Sequence, residues 1–311
     1  MDNGLGYFVV DNVEELYAIN SEAKRRDIVQ PILLRITPGI DPHTLEAITT
    51  GRVDSKFGSA IETGQAESIV KYTLNLPNIK LYGFHCHIGS QVFDADSYLH
   101  SSDIMLNFIK DMKDKFGFET SQLDIGGGFG VRYTQADPVL DIVYEIKRIA
   151  SFIHKKVKEL SISMPRILME PGRSIVGDAG ITLYTVGTIK SIQGYKNYVS
   201  VDGGMTDNPR FALYGSPYTV YVANKMNEEK NFLADIVGRC CESGDIIQQN
   251  ILLAEASRYD TIAVLTTGAY NYSMASNYNR LGRPPVVMLK GGKDYVAVRR
   301  ESLEDLVRND V

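Results

Sequence analysis

Three consecutive glycines, Gly126, Gly127 and Gly128, follow the apolar run Leu123-Asp124-Ile125 and precede Phe129-Gly130. Backbone without Cβ atoms can approach a ligand closely. Successive N–H groups in such a loop can converge on one anion, and phosphate is the usual guest. A tight turn that needs positive φ explains a triple glycine equally well, so the loop alone does not decide. Upstream, His85-Cys86-His87-Ile88-Gly89-Ser90-Gln91 places His85 and His87 on one face of a strand. Two such histidines could begin a metal site, but no further ligands follow at zinc-like spacing, and no metal is expected. One of the pair reads as a hydrogen-bonded core histidine, the other as an imidazole stacked on a flat cofactor.

Four further groups have polar chemistry. Glu170-Pro171-Gly172-Arg173 puts a carboxylate at a strand end. It either pairs with the nearby arginine or holds a proton on a heteroaromatic nitrogen, a role met in pyridoxal phosphate enzymes. Cys240-Cys241-Glu242-Ser243-Gly244-Asp245 sets a thiol among polar neighbours, as a proton donor or as a plain loop residue. Arg210, after Asn208-Pro209, could grip a carboxylate as a two-pronged fork or sit in a solvated turn. Ala212-Leu213-Tyr214 then reads as a strand. Tyr270, after Gly268-Ala269, opens a loop rich in Tyr and Asn whose hydroxyl could reach a phosphate or simply pack.

These residues sit at the ends of regular elements. Over the first 180 residues, strand-like runs (Tyr7–Val10, Ile32–Ile36, Ile79–His87, Leu123–Ile125, Arg166–Met169) alternate with helical patterns (Val13–Arg26, Ala60–Leu74, Ser97–Phe116, Leu140–Leu160). Strict alternation predicts parallel strands with right-handed crossovers. In a β/α barrel, chemistry gathers at the C-terminal ends of the strands, where the histidine, glycine and glutamate motifs fall. After about Gly180 come short strands at Ile181–Ile192, Tyr198–Val201, Tyr218–Ala223, Phe232–Val237, Ile246–Leu253, Asp260–Leu265 and Pro285–Leu289. They predict an antiparallel β domain ending in a short helix around Ser302–Arg308. The expected organisation is an α/β domain over 1–180 and an all-β domain over 181–311.

A chain of 311 residues can bury a large core. A net charge of −5 with no basic stretch argues against nucleic acid. No apolar run approaches the roughly 18 residues of a membrane helix. The acidic, polar start Met1-Asp2-Asn3-Gly4 is no signal peptide. Three cysteines, two of them adjacent, make a poor disulfide framework and point to a reducing cytoplasm.

Taken in order, these motifs resemble the diaminopimelate decarboxylases, fold-type III pyridoxal phosphate enzymes of lysine biosynthesis. The likeness runs from Tyr7 to the C-terminus through Ser55-Lys56-Phe57-Gly58, His87-Ile88-Gly89-Ser90-Gln91, the triple glycine, Glu170-Pro171-Gly172-Arg173, Asn208-Pro209-Arg210, Cys241-Glu242-Ser243-Gly244-Asp245 and Gly268-Ala269-Tyr270. The resemblance implies a pyridoxal-phosphate-binding β/α barrel with a β domain, and loss of CO2 from meso-2,6-diaminopimelate to give L-lysine. It implies His87 stacked on the pyridine ring and Glu170 on the pyridine nitrogen. Ser90, Gly126, Gly127, Gly128, Gly172, Arg173 and Tyr270 would hold the phosphate. Arg173, Arg210 and Tyr214 would take substrate carboxylates, and Glu242 the distal amino group, with Tyr270 beside them. Cys241 would be the proton donor, reaching the site of the partner subunit in a homodimer. Two other readings stay open: a non-catalytic binding or regulatory homologue, and a sibling decarboxylase of a polyamine precursor. Gln91 and Glu242 favour diaminopimelate over the siblings.

The family joins its cofactor to a lysine on the first barrel strand, in a Tyr-Ala-x-Lys-Ala-Asn setting that this sequence lacks. Tyr7–Val10 corresponds to the fourth barrel strand. The expectation is therefore a partial barrel without its first three strands, roughly 90 to 100 residues. Such a chain would be inactive or nearly so by itself, gripping its cofactor without a covalent anchor.

Overall fold

The computed structural model describes residues 1–40 and 51–311, in two units. The first comprises Met1–Gly130 and Val139–Ser174. Its elements are β1 (Phe8–Val10), α1 (Val13–Arg25), β2 (Gln30–Thr37), β3 (Ser59–Ala60), α2 (Gln65–Thr73), β4 (Ile79–His85), α3 (Ala95–Phe116), β5 (Gln122–Asp124), α4 (Ile142–Glu159) and β6 (Arg166–Leu168), with α5 (Arg173–Val176) opening after β6. The strands run parallel in the order β1-β2-β4-β5-β6, and β3 pairs with β2. This is the parallel half of the β/α fold that the alternation predicted.

The sequence explains why these segments fold so. In β2, Ile32, Leu33, Leu34 and Ile36 are all buried, so both faces of the strand are covered, as a parallel sheet requires. Asn12, Asp94 and Asp141 cap α1, α3 and α4 by accepting from the backbone N–H groups of Glu15, Asp96 and Tyr144. Gly117, at φ 65°, ends α3. On α4, Ile149, Ile153 and Val157 form a stripe at four-residue spacing that packs into the core with Met105, Leu106 and Phe108 of α3. Lys156 reaches Asp103 at 2.7 Å across the same pair of helices. Gly83 lets β4 lie against β5, since a Cβ there would stand 1.8 Å from Gln122 O.

The second unit comprises Val131–Pro138 and Ile175–Val311. It contains β7 (Ile181–Ile192), β8 (Lys196–Val201), α6 (Arg210–Tyr214), β9 (Val220–Val222), β10 (Phe232–Val237), β11 (Ile246–Leu253), β12 (Thr261–Leu265), α7 (Asn271–Met274), β13 (Val286–Lys290), β14 (Lys293–Val298) and α8 (Leu303–Val307). One sheet has the order β11-β10-β8-β7-β12-β9, and β13-β14 is a separate hairpin. Val186, Val199, Val201, Ile236, Ile247, Ile262 and Val264 fill the core of this unit.

In the first unit the helix expected over Ala60–Leu74 begins at Gln65, after the short strand β3, and three features of the second unit differ from the sequence reading. The β domain is not wholly antiparallel, because β8 and β10 pair in parallel. The long connection through α6 and β9 makes that possible, since a hairpin cannot join parallel neighbours. The segment after Asn208-Pro209 is helix α6, not a strand. Proline at its start and Gly215 at φ 61° past its end are helix punctuation. Strand β14 was not foreseen, although Gly291-Gly292, at φ 58° and 73°, is a hairpin turn signal before its alternating residues. Among the described residues no helix is long and apolar enough to cross a membrane.

Candidate active site

Strand register builds one cluster. Arg35 of β2 pairs with His85 of β4, and His85 with Asp124 of β5, so the three stand in a row across the sheet. Glu170 lies two residues past Leu168, the partner of Asp124 on β6, and so returns to the same face. His85 Nε2 is 3.4 Å from Glu170 Oε2. Donor atoms of His85, Asp124 and Glu170 all lie within 4.8 Å of one another. An imidazole with two carboxylates is also a cation-binding set in principle. Here one oxygen of Asp124 accepts from Gly126 N–H at 2.9 Å, and one oxygen of Glu170 faces His85.

Arg35, His85 and Glu170 border a cavity of about 610 Å³ at the C-terminal ends of the strands, lined also by Val9, Asp11, Glu15, Lys56, Phe57 and His87. Burial, reinforced by the Arg35 charge, depresses the pKa of His87 to about 4, so its imidazole is neutral at physiological pH. The hydrogen bond from His85 holds Glu170 below the usual carboxylate range, so it is ionised. Burial raises Asp124.

The glycine loop is held from several sides. Gly127 N–H donates to His87 Nδ1 at 3.3 Å, and Glu170 N–H to Gly126 O at 2.9 Å. Tyr98 of α3 donates to Gly127 O at 3.0 Å and stacks on Phe129. A Cβ on Gly127 would lie 2.0 Å from Glu170 O, and one on Gly128 2.1 Å from Gly89 O. The absence of side chains is thus what lets the loops after β4, β5 and β6 meet. Two of the three N–H groups are used inside the loop cluster, so the run is less open to an anion than the sequence suggested. Arg173, buried, donates to Ser90 Oγ at 2.9 Å and brings a cation to the same cluster.

The second unit carries Arg210, Tyr214, Cys241, Glu242 and Tyr270. Arg210 is buried, donates to Tyr133 Oη and Ser216 Oγ, and stacks over the Tyr133 ring at 4.7 Å. Its guanidinium also lies 5.9 Å from the Tyr214 ring centre. Cys241 is exposed on the β10–β11 loop, where burial and Asp245 push the neighbouring Cys240 thiol up to about 11. Glu242 accepts a hydrogen bond from the Tyr278 hydroxyl, which lowers its pKa. Asp245 anchors the base of this loop by accepting from Met205 N–H at 2.6 Å and Cys240 N–H at 2.7 Å. Tyr270 sits at φ 70°, a costly conformation for a tyrosine.

The sequence reading missed Asp11, Arg35, Tyr98, Asp245 and Tyr278. Arg35 had a signal, a lone charge inside the apolar run of β2. Its guanidinium lies 4.3 Å from the Phe57 ring centre, and burial lowers its pKa. Asp11, whose carboxylate accepts from Gly58 N–H at 2.8 Å, stands at the end of β1, where a β/α fold places chemistry.

Residues 1–177 match the family profile described as the pyridoxal binding domain of pyridoxal-dependent decarboxylases. The chain is 44% identical to the diaminopimelate decarboxylase of Halalkalibacterium halodurans and 42% identical to that of Bacillus subtilis, in each case over all of this chain and 71% of the relative. Diaminopimelate decarboxylase from M. jannaschii, solved with L-lysine, superposes with a TM-score of 0.91 at 31% identity, over all of this chain and 70% of that one. A lysine/ornithine decarboxylase from Vibrio vulnificus, solved with putrescine, superposes at 0.72 and 25% identity, over 91% of this chain and 69% of that one. The chain belongs to the diaminopimelate decarboxylases, within the pyridoxal-dependent decarboxylase family.

Proposed function

We propose that the cavity of the first unit binds pyridoxal 5'-phosphate and that the chain decarboxylates meso-2,6-diaminopimelate to L-lysine and CO2. The observation that carries this reading is the pairing, at one cavity, of an ionised Glu170 with a neutral His87 beside a loop that tolerates no Cβ. A cavity of about 610 Å³ suits a cofactor of this size. When bound, the cofactor supplies an electron sink for the pair left on the α-carbon as CO2 departs.

The chain's own residues do the rest. Glu170, half-exposed toward the cavity, holds the proton on the pyridine nitrogen. Uncharged His87 offers a flat face to the ring without repelling that proton. The Gly126 to Gly128 loop, with the N–H groups of Gly126 and Gly127 bonded inside the cluster, would present Gly128 to the phosphate beside Ser90, Gly172, Arg173 and Tyr270. Arg173, Arg210 and Tyr214 take carboxylates, aided by Tyr270, and Glu242 takes the ammonium group at the non-reacting end. The Cys241 thiol would give a proton to the α-carbon once CO2 has left. We take the working form to be a homodimer in which Cys241 and Glu242 serve the partner's cavity. Three free cysteines fit a cytoplasmic setting.

Lys56 is the one lysine lining the cavity among the described residues, and its motif in the resemblance is not that of the covalent anchor. Incubating the chain and cofactor separately with meso-diaminopimelate, L-lysine and L-ornithine tests the reading. L-Lysine should form from the first, with no diamine from the others. Cadaverine or putrescine would favour a polyamine-precursor decarboxylase. Bound cofactor with no product from any of the three would favour a non-catalytic homologue.

A further inference from the structure

We propose that His85 is a positioning residue, a buried imidazole that orients the Glu170 carboxylate toward the cofactor's pyridine nitrogen. The inference rests on the cofactor reading above and adds a residue that acts through Glu170.

Glu170 needs such a partner. Its side chain is half-exposed at the cavity, while its backbone is tied down through Gly126 O. Among the described residues, His85 is the one side chain that hydrogen-bonds its carboxylate. The geometry assigns the bond to Nε2–H as donor, because an ionised carboxylate only accepts. His85 itself is 4% exposed, and its Nδ1 is buried with no partner. A histidine kept only for core packing would be expected to satisfy both nitrogens, because a buried polar atom without a partner costs stability. This one makes its side-chain hydrogen bond to Glu170.

The surroundings support the same role. Arg35 and Asp124 flank His85 in the strand row, His87 follows it on the chain, and the Cys86 thiol between them is pushed up to about 12 by burial. Asp124 binds Gly126 N–H, and Gly126 O accepts from Glu170 N–H. Gly126 therefore joins Asp124 to Glu170 through backbone, and His85 lies beside both carboxylates from the strand side. A carboxylate that could swing would hold the ring nitrogen's proton less firmly. The imidazole removes that freedom without placing a second acceptor on the nitrogen.

The test compares affinities for pyridoxal phosphate and for its analogue with carbon in place of the ring nitrogen. A glutamine amide reaches the Nε2 position of histidine, whereas an asparagine amide falls short of it. His85→Asn should weaken pyridoxal phosphate about tenfold, and His85→Gln should stay within about threefold of the parent. The carbon analogue should bind the parent and both variants alike, and Glu170→Gln should erase the cost of His85→Asn. Each comparison of two ligands is made on one folded protein, so lost stability cancels. His85→Phe is read in the same way if His85→Asn does not fold. An equal loss for both ligands, or a loss that persists beside Glu170→Gln, would overturn the proposal and leave the cofactor reading intact. No binding of pyridoxal phosphate by the parent chain would overturn both.

Discussion

The cofactor groups and the substrate groups of this chain are built differently. In the first unit, His85, Asp124, Glu170 and the triple glycine are bonded to one another through short, partly buried contacts. In the second, Cys241 is exposed and Glu242 is held by the hydroxyl of a surface tyrosine, at the tip of a loop whose base is anchored by Asp245. The contrast separates two tasks. A cofactor that stays in place needs a preorganised cradle. Groups that meet each incoming substrate and deliver a proton need access, and such elements come from the less stable parts of a fold.

The strongest way to break the contrast is Gly127→Ala. A Cβ 2.0 Å from Glu170 O cannot be absorbed by side-chain adjustment, because the obstacle is backbone. Chemical denaturation should show a loss of about 3 kcal/mol or more, with cofactor binding abolished. Cys241→Ala should do the reverse. Stability should stay within about 0.5 kcal/mol, since the residue is exposed, while single-turnover formation of L-lysine slows about 100-fold.

The pH dependence sharpens the comparison. The folded pKa of His87 is near 4, against an ordinary 6.5, so the unfolded chain binds the extra proton between those values. Stability should therefore rise with pH through that window and level off above 6.5, by on the order of 2–3 kcal/mol. Glu170, lowered by His85, acts in the same sense further toward acid, whereas Asp124, raised by burial, opposes the rise from the ordinary aspartate range upward. His87→Asn should flatten the rise in denaturation curves taken from pH 5 to 7. The smallest effect belongs to Tyr278→Phe. Freeing the half-buried Glu242 from Tyr278 should raise KM for diaminopimelate about threefold and leave stability nearly unchanged.

The sequence showed the cofactor side more fully than the substrate side, for a physical reason. Strand–helix alternation and a triple glycine are local patterns, so β1, β2, β4, β5 and β6 and the loop at Gly126 to Gly128 could be read from neighbours in the chain. The row from Arg35 through His85 to Asp124 depends on register between strands far apart in sequence, and only its histidines stood out. In the second unit, β14 and α6 had local signals in Gly291-Gly292 and in Pro209 with Gly215 that were passed over. The parallel pairing of β8 with β10 and the anchoring of the Cys241 loop by Asp245 have no local signature, because each joins segments through tertiary contact.

Hydrogen exchange on the chain with no cofactor added tests most directly whether the cradle is assembled beforehand. The account predicts slow exchange at the amides of Cys86, Gly126, Gly127 and Glu170, which donate to Asp124 O, Asp124 Oδ1, His87 Nδ1 and Gly126 O, and fast exchange across Cys241 to Gly244. If the first four exchanged as fast as that loop and slowed only when pyridoxal phosphate was added, the cradle would be a product of binding, contradicting the account.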